Sequence, residues 1–239
     1  MTARTSTPRI GILLAIAGLL ALASLGSRAS EESVDRATQT ALSLDAHPDR
    51  GAAQFGQYCA RCHGSQAQGD AGRAIPVLAG QRFAYLIRQM ANFSGFERDS
   101  NTMHGVLSQI ELRAPQSWVD IAAYLNRVPL SSPAQTGDGA SVSLGRGIFH
   151  EQCATCHRGD AHGDEDGFVP SLRNQHYAYL LKQLHKMRDG YRHNVDENLV
   201  RFLGSFDEND MRGTADYLSR LRGPGAVHKI MRSNGVVVD

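Results

Sequence analysis

One feature constrains this chain more than any other: residues 51–89 and 145–183 match without a gap at a spacing of 94 residues. Gly51/Gly145, Phe55/Phe149, Cys59/Cys153, Cys62/Cys156 and His63/His157 set the register, and Gly69/Gly163, Asp70/Asp164, Pro76/Pro170, Leu78/Leu172, Gln81/Gln175, Tyr85/Tyr179, Leu86/Leu180 and Gln89/Gln183 keep it. Composition does not produce such a run by chance, so the chain holds two copies of one small domain. With 239 residues to share, each copy has a modest core.

The boundaries follow from what lies between the copies. Pro129, Ser131, Ser132, Pro133, Gly137 and Gly139 follow one another with no long apolar residue between Leu130 and Val142. This predicts a linker over 129–142 joining a first domain over 46–128 to a second over 143–222, with a tail over 223–239. Each copy opens with a short helix (51–59; 145–153), crosses a glycine-rich loop, and enters a helix with apolar periodicity (83–93; 177–187). Each also closes on a helix. The first of these is predicted to open at Ser117, three residues before Asp120, and to bury Trp118, Ile121, Ala122 and Leu125; the second opens at Asp207 and buries Met211, Ala215 and Leu218. No strand pattern is present, so the fold class is all-α.

The first 29 residues hold Arg4, Arg9, Arg28 and no acid, and residues 10–25 are apolar or small. That is the pattern of an export signal, with Ala21 and Ala23 or Ser27 and Ala29 as a small-x-small cleavage pattern; an uncleaved anchor is the alternative. Either way the rest of the chain is expected outside the cytoplasm, in the periplasm, with residues 30–45 as a polar leader or tether. Formal charge is +1, or −2 once those three arginines are removed. Neither value carries the basic footprint of a nucleic-acid binder.

All four cysteines lie in the pairs Cys59-Ala60-Arg61-Cys62-His63 and Cys153-Ala154-Thr155-Cys156-His157. This is the spacing of c-type haem attachment. Two thiols one helical turn apart can reach both vinyl groups of a porphyrin as thioethers, and the next residue sets an imidazole against the iron. A thioredoxin-like redox pair would need a βαβ context, which is absent, and a four-cysteine zinc site would have to bridge residues 94 apart. Two covalently bound haems c are therefore predicted.

With these residues in view, the stretch from about Ala46 to Arg222 resembles a two-domain, two-haem class I cytochrome c, closest to the c-four family. The resemblance implies two tandem cytochrome c domains, each a few helices wrapped around one covalent haem, with His63 and His157 as proximal ligands. It rests further on Pro76-Val77-Leu78-Ala79-Gly80-Gln81 with Tyr85, and on Pro170-Ser171-Leu172-Arg173-Asn174-Gln175 with Tyr179. In such folds the Pro carbonyl accepts the proximal His Nδ1–H; Pro76 and Pro170 each lie 13 residues past their His.

The distal ligands separate the copies. In the first, Met103 sits in the polar stretch from Arg98, 40 residues after His63, and is favoured over Met90, which lies on the apolar face of a helix. In the second, the same count from His157 reaches Glu197, and aligning Gly190 with Gly95 reaches Asn198. Met187 and Met211 align with Phe93 and Trp118 and read as packing, and Met231 lies in the tail. His193 is a candidate ligand there, and a vacant or water-occupied site stays open. His162, His176 and His185 are weaker candidates, the last two reading as surface residues on a helix start and a helix face, and the run Asp160, Asp164, Glu165, Asp166 reads as a solvated loop without calcium-loop spacing.

The function that follows is electron transfer: single electrons pass from a quinol-oxidising complex or dehydrogenase to a terminal oxidase or reductase, with redox proteins as the partners and membrane contact only through the N-terminal segment. The rival is a haem enzyme, or a subunit of one, in which the Met-less second haem acts on a sulfur compound or a peroxide.

Overall fold

A computed structural model describes residues 31–130, 134–222, 230–231 and 237–238. The expected export segment, and most of the tail, lie outside the described residues. Among the described residues no helix is long and apolar enough to cross a membrane.

The first domain runs through α1 (31–42), α2 (Pro48–Tyr58), α3 (Ala60–His63), α4 (Phe83–Ser94), α5 (Asn101–Leu107) and α6 (Pro115–Arg127). The second repeats the last five as α7 (Val142–Ile148), α8 (Ala154–His157), α9 (Tyr177–Arg188), α10 (Glu197–Leu203) and α11 (Glu208–Arg220), with a π turn over Phe149–Cys153 between α7 and α8. Among the described residues the fold is all-α apart from one isolated bridge in each domain, Asp70 to Ile75 and Asp164 to Val169, and a two-residue antiparallel pair in the tail, where Ile230 faces Val238 and Met231 faces Val237.

In each copy the first helix crosses the last at a glycine. Gly51 lies on the backbone of Asp120, and Gly145 on that of Gly213. Beside the crossings, Phe55 and Tyr124 have ring centroids 5.5 Å apart, and their counterparts Phe149 and Tyr217 are 5.6 Å apart. Trp118, Ile121, Ala122 and Leu125 are buried on α6, and Met211, Ala215 and Leu218 on α11, as their periodicity predicts.

Several expectations need correction. Pro115 starts α6 two residues before Ser117, because proline is favoured in a first turn that has no use for its missing N–H. Ser117 instead donates to the Glu111 carbonyl at 2.7 Å, while Asp120 is buried and accepts from the His47 amide at 2.8 Å. Asp207 does cap α11, in a reciprocal box with Asp210. The polar leader is not a tether: α1 buries Val34, Thr38 and Ala41 against the first core, with the Thr38 hydroxyl turned back onto the Val34 carbonyl at 2.7 Å. Asp35 pairs with Arg88 of α4, and Val34 packs over Gly95.

From Ala134 onward the linker is pinned to the second domain. The Ala134 amide donates to Asn174 Oδ1 at 3.2 Å, and those of Gly137 and Gly139 donate to the Asp216 carboxylate at 2.9 and 2.7 Å.

Candidate haem sites

Each Cys-x-x-Cys-His run winds into a short helix directly after a longer one, so its thiols and imidazole project from one turn. Cys59 caps α3 and Cys153 caps α8, and no two of the four cysteines are joined as a disulfide. Burial, then the neighbouring sulfur, pushes the Cys59 thiol up to about 12 and the Cys153 thiol up to about 11. These are neutral thiols, unlike the low-pKa nucleophile of a dithiol redox enzyme. Thiols that are partly exposed and outside any disulfide suit thioether attachment.

The histidines are oriented as the resemblance implies. His63 Nδ1 lies 3.2 Å from the Pro76 carbonyl and His157 Nδ1 3.1 Å from the Pro170 carbonyl. A carbonyl can only accept, so each ring carries its proton on Nδ1 and turns the Nε2 lone pair outward, the tautomer a metal requires. Burial is the main cause holding both imidazoles below the ordinary histidine value, and in His157 the Arg192 charge adds to it.

The two sites meet across a pseudo-two-fold interface made of repeat-equivalent residues. Gln81 exchanges two hydrogen bonds with the backbone of Ser171 (N–H to Oε1 2.8 Å, Nε2 to carbonyl 2.9 Å), and Gln175 does the same with Val77 (2.9 and 3.0 Å). Val77 and Ser171 directly follow the prolines that orient the histidines, so each domain clamps the other's proximal loop. Arg82 donates to the His162 carbonyl at 2.7 Å, and its equivalent His176 reaches the Gln68 carbonyl at 2.9 Å. His176 is therefore buried at the interface and not on the surface as expected. Glu165, expected in a solvated loop, accepts the Phe83 and Ala84 amides at 3.1 and 2.8 Å and caps α4 of the other domain. Among the described residues no cluster of three or more His, Cys, Asp or Glu side chains is arranged for a metal ion.

At the centre lie Arg98 and Arg192, again equivalent. Arg98 donates to Gln89 (2.6 Å), Tyr179 (2.8 Å) and Gln183 (2.9 Å), and its guanidinium stacks 4.7 Å from the centroid of Phe93. Arg192 donates to Gln183 at 3.1 Å, and both guanidiniums bond the Tyr85 hydroxyl. Burial would raise the Tyr85 phenol, but the two cations outweigh it and hold it below its ordinary value. Burial and the Arg98 charge push Arg192 down. Two cations, Arg98 buried and Arg192 half-buried, held by amides and phenols carry positive charge that the two propionates of a haem would offset. The residues present fit the group. Nothing in the sequence pattern distinguished these arginines; their equivalence at the same 94-residue spacing was the available signal.

The distal candidates are placed less symmetrically. Met103 is half-buried at the third position of α5, a helix where a loop was expected, because Ser100 caps it by accepting the Met103 amide. Met90 is buried in the first core, as is Met211 in the second domain. His193 is exposed, with Nε2 3.7 Å from Asp99 Oδ2 of the first domain. His185 pairs with Glu208 at 3.0 Å. A groove of about 450 Å³ on α9 is lined by Tyr177, Leu181, Lys182 and His185 among others, and by no motif residue. It lies on the α9 face whose α4 equivalent α1 covers.

The family model for cytochrome c matches residues 142–222, and that for subunit III of cbb3-type cytochrome c oxidase matches 46–124. Cytochrome c4 of Pseudomonas aeruginosa is 28% identical over 68% of this chain and 83% of its own length. Cytochrome c4 of Stutzerimonas stutzeri is 30% identical over 67% and 77%. A thiosulfate dehydrogenase electron acceptor, also of Stutzerimonas stutzeri, is 29% identical over 68% and 78%. The crystal structure of reduced recombinant cytochrome c4 from Pseudomonas stutzeri superposes with a TM-score of 0.65 at 26% identity, over 74% of this chain and all of that one.

Proposed function

The chain belongs to the cytochrome c4 family of dihaem class I c-type cytochromes, and on that premise we propose that it is a periplasmic carrier passing single electrons from a quinol-oxidising complex or dehydrogenase to a terminal oxidase or reductase. The observation that carries this reading is the pair of equivalent sites clamped to each other through Gln81 and Gln175. When bound, each haem supplies a reversible one-electron iron couple. The chain's own residues do the rest. Cys59, Cys62, Cys153 and Cys156 tether the two groups so that small domains keep them. Pro76 and Pro170 fix His63 and His157 in the ligating tautomer, which limits reorganisation when the charge changes. Arg98 and Arg192 offset carboxylate charge in a buried place, and Met103 is the thioether for the first iron, favouring its ferrous state.

The domains of this carrier are 46–128, with α1 as an extension packed on it, and 143–222; residues 1–29 are its export segment. The relative named as a thiosulfate dehydrogenase electron acceptor favours a second reading, in which the donor is an enzyme oxidising a sulfur compound. In both readings the chain carries electrons and converts no substrate itself.

The test is a reductive titration of the exported protein. The expected result is a denatured mass exceeding the polypeptide by two haems, uptake of two electrons per chain, and their return to an oxidant without consumption of thiosulfate or peroxide. A single haem, or steady turnover of either compound by the chain alone, overturns the carrier reading.

A further inference from the structure

We propose that Leu199 stands in the second domain where Met103 stands in the first, so that the second iron has no side-chain sixth ligand and, when ferrous, binds a neutral diatomic ligand of the carbon monoxide or nitric oxide class. The inference rests on the reading that each motif carries a haem.

The structure supplies a register that counting along the sequence does not. Six backbone positions with left-handed φ recur at the 94-residue spacing: Gly64/Arg158, Ala67/Ala161, Gly69/Gly163, Ala74/Phe168, Gly80/Asn174 and Phe96/Gly190. Left-handed φ is costly for side-chain-bearing residues, so paired occurrences mark paired positions. Gly190 thus matches Phe96, not Gly95, and the register runs on through Arg98/Arg192 at the interface. Beyond it the spacing changes. The caps of α5 and α10, Ser100 and Asp196, are 96 residues apart, and each accepts a first-turn amide. Both helices have seven residues, and both end on a buried leucine, Leu107 and Leu203. The second distal loop is therefore two residues longer, and the third position of α10, matching Met103, is Leu199. Both side chains are half-buried. Leucine fills the thioether's volume without a lone pair.

The other candidate donors sit in exposed, hydrogen-bonded or packing positions, with Met187 half-buried on α9 at the position of Phe93. His193 falls at the position of Asp99 and faces it; its side chain is 62% exposed, and the nitrogen nearest the carboxylate is Nε2. Asn198 Oδ1 accepts from Arg201 at 2.6 Å, and Glu197 is exposed on the first turn of α10. Met211 is buried in the position of Trp118. A haem iron held by His157, with apolar Leu199 where the first domain has Met103, would disfavour anions and hydrogen-bonding ligands. Neutral diatomic molecules, which need only the ferrous iron, remain.

The experiment uses the holoprotein carrying two haems by mass, so that loss of a haem is told apart from closure of a site. Reduced protein is titrated with carbon monoxide and followed by optical difference spectra. The expected uptake is one molecule per chain, rising to two in Met103→Ala. Leu199→Met should abolish uptake and roughly double the long-wavelength Met-to-ferric-iron band. No uptake by the unaltered two-haem protein overturns the proposal, and uptake gained only in His193→Ala assigns the ligand to His193 instead. Uptake unchanged in Leu199→Met shows that position 199 does not cover the iron and equally refutes it. Should Leu199→Met fail to accumulate, the titrations of the unaltered protein and Met103→Ala still decide.

Discussion

A methyl group added at each of four helical glycines should act with opposite sign according to where it points. A Cβ on Gly51 would sit 1.9 Å from the Asp120 carbonyl oxygen, and one on Gly145 1.9 Å from that of Gly213. Both obstacles are backbone in the middle of a helix, so relief requires the closing helix to retreat by roughly 1 Å or more. Overpacking of this kind costs about 1–3 kcal/mol where side chains can adjust, and rigid backbone puts these sites at about 3 kcal/mol. For a domain of this size that is a fall in Tm of about 12 °C or more, at ~4 °C per kcal/mol. Gly56 and Gly147 lie in the same two helices, and a Cβ there meets nothing within 4 Å. Alanine at those positions should gain up to about 1 kcal/mol from helix propensity and reduced unfolded-state freedom. Melting of the four haem-loaded variants, followed at the haem absorption, is the assay. If Gly51→Ala or Gly145→Ala melts within about 2 °C of the parent with both haems in place, the close crossings do not govern the fold, and the argument is wrong.

Two further outcomes concern the interface. Gln175→Ala should cost more than Gln81→Ala, because the former strands both backbone groups of buried Val77 and the latter those of half-exposed Ser171, which water can reach. At about 1–3 kcal/mol per stranded buried group, chemical denaturation should separate the two variants clearly, and equal or reversed costs refute this account. Glu165, raised above the ordinary carboxylate value mainly by burial, holds its proton in the folded state after the unfolded chain has released it. Its contribution to stability is therefore present below the unfolded pKa and falls as pH rises through the raised one. Glu165→Gln should remove that fall from a Tm-against-pH profile, and a profile of unchanged slope counts against it.

What the sequence revealed and what it hid divide along physical lines. The repeat, the two motifs and the longer helices were legible because identical spacing, thiol chemistry and a 3.6-residue apolar period leave direct marks. Helices α5 and α10 were not, since seven residues make less than two turns of period and their definition comes from Ser100 and Asp196 as caps. Helix α1 reads as polar because it buries one face through Val34 and Ala41 with Thr38 between them. The register of the second distal loop was hidden for a further reason: two inserted residues leave no trace in composition, and only the matched left-handed positions and caps locate them.

The interface explains why the copies stay alike in one region and differ in another. Around a pseudo-two-fold axis each residue faces the surroundings of its own counterpart, so Gln81 and Gln175 solve one geometric problem, as do Arg98 and Arg192. A change in either loop beside Pro76 or Pro170 alters the seat of a glutamine from the other domain, and through the adjoining carbonyl the orientation of a histidine. The distal loops beyond Arg98 and Arg192 carry little of this reciprocal constraint. One can hold Met103 and the other Leu199 with two extra residues, while both proximal sites stay identically built. The difference between Met103 and Leu199 thus falls where the reciprocal hydrogen bonds of the interface end.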